Sequence, residues 1–93
     1  MYLSPRQQKI VFRINRKVNA ILAGGGTDDR ICEAILTIVP QYMADFKHLL
    51  DTLSHHEIDQ LCQRYDGFYH FAKMLERLAE GCAAGIFDDI IGR

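Results

Sequence analysis

The 93-residue chain is 48% hydrophobic and 25% charged with a net charge of −1, the make-up of one soluble globular domain over residues 1–93 with no room for a second. Its longest apolar runs, such as residues 34–39, are too short to span a bilayer, and MYLSPRQQK lacks the apolar core of a signal peptide, so a cytoplasmic protein is expected. A domain of this size buries only about 60 to 65% of its unfolded surface, which makes a homodimer, or docking on a larger partner, an expectation before any motif is read.

Ser4-Pro5-Arg6-Gln7 predicts a helix start. Ser4 is the N-cap, Pro5 sits where a missing N–H costs nothing, and Gln7 closes a capping box. The helix should run to about Ala23, where Gly24, Gly25 and Gly26 supply a left-handed cap and a flexible turn. Ile10, Ile14, Val18, Ile21 and Leu22 make its apolar face, with Val11 at the margin. Arg6, Lys9, Arg13, Arg16 and Lys17 cluster about a third of a turn away. Phe12 falls outside the apolar stripe, so it either lies under the basic stems or meets a partner. These five cations are unopposed by any acid as far as Thr27, whereas twelve acids face six cations from Asp28 onward, giving +5 in the first part and −6 in the second. Such a division marks a nucleic-acid or anionic-partner site, or a basic helix lying beside acidic surface of its own chain or of a symmetry mate.

Thr27 is the expected N-cap of the second helix, with Asp28 and Asp29 on the positive end of its dipole. The GGGT loop before it is not a phosphate-binding loop: the G-x-x-x-x-G-K-[ST] spacing is absent, no strand precedes it, and the aspartates occupy the anion's place. Ile31, Ile35, Ile38, Tyr42, Phe46, Leu49 and Leu53 follow at steps of three or four without losing phase across Pro40. The pattern predicts one long helix kinked at Pro40. A break into two helices is disfavoured because neither Ile38 nor Val39 can cap a new start.

Leu53-Ser54-His55-His56-Glu57-Ile58 combines a capping box (Ser54, Glu57) with a hydrophobic staple (Leu53, Ile58), which requires a third helix beginning at Ser54. That helix turns Ile58, Leu61, Cys62 and Tyr65 inward. Asp66-Gly67 then makes either a corner, with Gly67 beyond the C-cap, or a kink recapped by Asp66. Phe68, Phe71, Ala72, Leu75, Leu78, Ala79 and Cys82 resume the helical repeat to about Ala84. Gly81 and Gly85 loosen its end, and Ile86, Phe87, Ile90 and Ile91 space out one short amphipathic turn. The expected fold is therefore all-α: a compact antiparallel helical bundle of three to five helices, the second kinked or broken at Pro40, with a short C-terminal turn.

Motifs for chemistry are weak. Cys32, Cys62 and Cys82 are odd in number, stand among apolar residues and form no CxxC pair, as expected of reduced structural thiols. His48, His55, His56 and His70 do not converge with Cys62 at zinc-ligand spacing. A Cys62 pair with His70 or His56 lacks an identifiable orienting carboxylate or oxyanion donor. No enzyme, no cofactor and no metal site is expected. A helix-turn-helix built on Ile58 to Ala79 fails because Asp66, Lys73 and Glu76 fall at apolar positions and the second helix offers no base-reading Arg, Asn or Gln.

Two functions remain. The first is a non-catalytic protein–protein interaction or regulatory module, homodimeric or docked on a partner, with an aromatic interface at Tyr65, Phe68 and Tyr69. Four of the nine aromatics lie within residues 65–71, and Tyr69 points away from the seam that takes Phe68 and Phe71. The second is a nucleic-acid-associated helical subunit that follows a phosphate backbone with Arg6, Lys9, Arg13, Arg16 and Lys17. No motif is specific enough to name a family.

Overall fold

In the computed structural model, which describes residues 2–80, the chain forms four helices: α1 (Pro5–Ala23), α2 (Asp28–Thr52), α3 (His55–Arg64) and α4 (Asp66–Glu80). The predicted C-terminal turn at Ile86, Phe87, Ile90 and Ile91, together with Cys82, lies outside the described residues. The starts of the first three helices follow the chemistry read from the sequence. Ser4 Oγ accepts from the Gln7 backbone N–H while Gln7 Oε1 accepts from the Ser4 N–H at 2.9 Å. Thr27 Oγ1 accepts from the Arg30 N–H. Ser54 and Glu57 make the same reciprocal pair as Ser4 and Gln7. Each arrangement satisfies amide donors that a helix start leaves without an intrahelical partner.

The glycine turn places its left-handed residues one step later than expected. Gly24 caps α1 in a right-handed conformation, while Gly25 (φ 72°) and Gly26 (φ 111°) reverse the chain. α2 is a single helix through Pro40. Gln7 Nε2 donates to Thr52 Oγ1 at 3.0 Å, which ties the start of α1 to the end of α2 and sets the two antiparallel.

The core is built where the seams meet. Ile10, Val11, Ile14 and Val18 of α1 are buried with Ile35, Ile38, Val39, Met43, Phe46 and Leu49 of α2, Leu61 of α3, and Phe68, Phe71, Met74 and Leu75 of α4. Val11 is fully buried rather than marginal, and Ile21 and Leu22, expected in the stripe, are half-buried near the end of α1. The cause is α4, which packs closely along α1 and shifts the buried arc toward Val11. Phe46 lies 5.7 Å from Phe68 and 5.4 Å from Phe71, ring centre to ring centre, with the ring planes tilted to one another.

α3 and α4 are separate helices, joined by Tyr65 in an extended conformation (φ −122°, ψ 105°). Gly67 is neither a left-handed corner nor a C-cap residue. It lies inside the first turn of α4, pressed onto the backbone of α1 at Asn15. Among the described residues, no helix is long and apolar enough to cross a membrane.

Candidate functional site

The buried arc of α1 fixes what its other face presents. With Ile10, Val11, Ile14 and Val18 turned inward, the 3.6-residue repeat carries Arg6, Lys9, Arg13, Arg16 and Lys17 outward, and all five are exposed. From Arg6 to Lys17 the cations extend over about 16 Å of helix at 1.5 Å per residue. Among the described residues Lys73 pairs with Glu76 (3.2 Å), His70 lies 3.7 Å from Asp66 and pairs with it only when protonated, and none of the five α1 cations takes part in an ion pair. The acidic balance of the later chain is thus not used to neutralise α1 by direct pairing within the described residues.

Beside this face runs an open groove of about 1040 Å³, lined by Lys9, Phe12, Arg13, Arg16 and Lys17 from α1 and by Gln41, Tyr42 and Asp45 from α2. Four cations face one acid there. Phe12 is 46% exposed, and its ring meets Tyr65 edge-to-face at 5.6 Å. Tyr42 is held edge-on against Phe71 at 6.5 Å. The groove therefore combines positive charge, polar amides and an accessible aromatic ring.

The aromatic interface expected at Tyr65, Phe68 and Tyr69 is not one surface. Phe68 is fully buried against Phe46, which corrects its assignment as a contact residue: it has no area to offer a partner unless the core opens. Tyr65 is the half-buried C-cap of α3 and turns toward Phe12. Tyr69 alone is exposed, at 38%, with its ring 5.3 Å from that of His70. Phe68 and Tyr69 are neighbours on α4 and point about 100° apart, so one turns into the core as the other turns out, and the break at Tyr65 separates that residue from both.

Tyr69 belongs instead to a second groove of about 1070 Å³ between α2, α3 and α4, whose lining includes Leu50, Leu53, Ile58, Cys62, Asp59 and Glu76. Leu50 is 39% exposed there. Burial pushes the Cys62 thiol above the ordinary thiol range, with Asp59 adding to the shift and Lys73 opposing it, so the thiolate needed for nucleophilic chemistry is disfavoured. His55 and His56 are exposed in the first turn of α3, where His56 Nε2 lies 3.3 Å from Gln60 Nε2. Among the described residues, no three of the His, Cys, Asp and Glu side chains group as metal ligands would.

One residue that positions these elements was missed in the sequence. Asn15 Oδ1 accepts from the N–H of Gly67 at 2.8 Å and of Phe68 at 3.3 Å, so a side chain of α1 caps α4 from 52 residues away. Nothing local to Asn15 signals this role. Comparison with protein-family models, with curated proteins and with solved structures found no match to this chain.

Proposed function

We propose that the chain is a non-catalytic binding module that contacts a nucleic-acid phosphate backbone through the exposed face of α1. The observation that carries this reading is that five cations share one helix face and none pairs with an acid among the described residues. An unpaired, solvated row of Lys and Arg gains most from a polyanion, because each phosphate neutralised releases condensed counterions. The helix itself is anchored by its buried arc and by the Gln7–Thr52 hydrogen bond, so binding there requires no refolding.

The experiment is retention on immobilised nucleic acid at low salt, with helix content followed by circular dichroism. Wild type is expected to be retained, and Arg13→Glu combined with Arg16→Glu is expected to elute with the void while remaining folded. A wild type that is not retained removes the reading.

A second reading, protein binding or self-association, has its own supporting observation: Leu50 and Tyr69 are both exposed in the apolar groove between α2, α3 and α4. Exposed large apolar side chains grouped in a concavity mark contact surfaces. Its test is the solution mass of wild type and of Tyr69→Ala.

A further inference from the structure

Resting on the nucleic-acid reading of α1, we infer that the strand held there is single, with a base stacked on Phe12. Phe12 is nearly half exposed on a helix whose other large apolar residues are turned inward, and it is set between Lys9 and Arg13 in sequence. Its ring does not hang free, because the edge-to-face contact with Tyr65 holds it in place. A fixed aromatic ring beside a row of cations is the arrangement that binds single strands. Charge tracks the backbone while the ring receives a base, and no base identity is required because every base has a π-face.

In a duplex those faces are already covered by neighbouring base pairs, and Phe12 would meet only sugar and phosphate. The groove also has polar walls suited to unpaired bases, since Gln8 and Gln41 line it with Phe12: the Gln41 amide can donate to or accept from base edges, and Gln8, whose Nε2 donates to the Leu3 carbonyl at 3.3 Å, keeps its oxygen as an acceptor. Asp45 lies in the same groove. It repels phosphate there, which leaves the backbone to the cations of α1 and turns the bases toward α2.

The test uses the absence of tryptophan from the chain. Phe12→Trp keeps an aromatic ring at the position and introduces a single tryptophan, which can be excited apart from the four tyrosines and whose emission a stacked base quenches. Three probes are titrated at low salt: single-stranded oligothymidylate, a duplex of equal length, and heparin, which carries charge without bases. Single-strand binding is expected to quench the emission, heparin to bind without quenching, and duplex to bind more weakly than single strand. Phe12→Ala is expected to lose about tenfold or more in single-strand affinity, within the range of base–aromatic stacking, with heparin affinity unchanged.

Equal binding of all three probes without quenching overturns the single-strand inference and leaves the charged-face reading standing. Quenching by duplex with a kinked product also overturns it, in favour of a wedge between base pairs. If heparin is held and neither nucleic acid is, both readings fall and an acidic protein surface takes their place. Should Phe12→Ala fail to fold, the Phe12→Trp titration decides alone.

Discussion

Gly67 is a glycine because of what stands opposite it. A Cβ there would come closer to the Asn15 backbone oxygen than side-chain carbons come to any atom, and would lie 2.9 Å from both Asn15 Oδ1 and Asn19 Oδ1. Its φ is not positive, so the residue is required for close approach and not for an unusual backbone. Gly67→Ala must push α4 off α1 and is expected to cost at least about 1–3 kcal/mol, the range for overpacking, read as a shift in the denaturation midpoint. Asn15→Ala leaves the Gly67 and Phe68 donors without their acceptor and is expected to cost about 0.5–2 kcal/mol, as for lost caps. Asn15→Asp keeps the acceptor and adds a negative charge at the positive end of α4, so stability should be held or raised. A neutral Gly67→Ala would mean that the two helices are not in contact at this point. The sequence supports reading Asp66-Gly67 as an interruption, since local pattern shows that a glycine is out of place in a helix. It cannot show that the reason lies on another helix 52 residues back, and for that reason Asn15 escaped notice.

At the scale of the element, what could be read was what is local. Capping boxes join residues three apart, and both that were expected, at Ser4 and at Ser54, are formed. Seams follow a fixed repeat, and Ile35, Ile38, Phe46 and Leu49 are buried as their spacing required. The misjudged positions are Val11, where a second helix changes which arc is covered, and Phe68, which its spacing put on the α4 seam, where it is buried, and which was nevertheless also expected at the interface. The α3 capping box also has a pH dependence with a definite sign. The hydrogen bonds from Ser54 hold the Glu57 carboxyl below the usual glutamate range, so its stabilising effect is present above the ordinary glutamate pKa and is lost as pH falls through the lowered folded-state value. Glu57→Gln should retain most of the cap at neutral pH and flatten that acid limb of the stability profile. Pro40 sits exposed within the unbroken α2, where a proline costs up to about 3 kcal/mol relative to alanine. Pro40→Ala is therefore expected to raise the unfolding free energy, by at most about that figure. A loss of stability on that substitution would show that Pro40 contributes to how α2 packs, beyond its local cost to the helix.

On the scale of the whole molecule, the division of charge read from the sequence becomes a division of surfaces. The groove beside α1 has four cations and one acid in its lining, whereas the groove between α2, α3 and α4 has Asp59, Asp66 and Glu76 against Lys73. The two share no lining residue, which makes them separable by substitution. Tyr69→Ala is expected to leave retention on nucleic acid and its salt dependence unchanged, because it removes no cation from α1. Arg13→Glu with Arg16→Glu is expected to leave the solution mass unchanged, because it removes no apolar area from the other groove. The salt dependence carries the more exacting number: with at most five cations engaged, the slope of log affinity against log salt for a single strand should not exceed about 3.5 in magnitude. A steeper slope would require cations beyond α1, either from the six that follow Asp28 or from a second copy of the chain, and the mass measured in the same buffer separates the two, since only the second demands an oligomer. Retention lost on Tyr69→Ala, with the fold intact, would mean instead that the two grooves act as one surface through self-association, and the separation argued from their linings would fail.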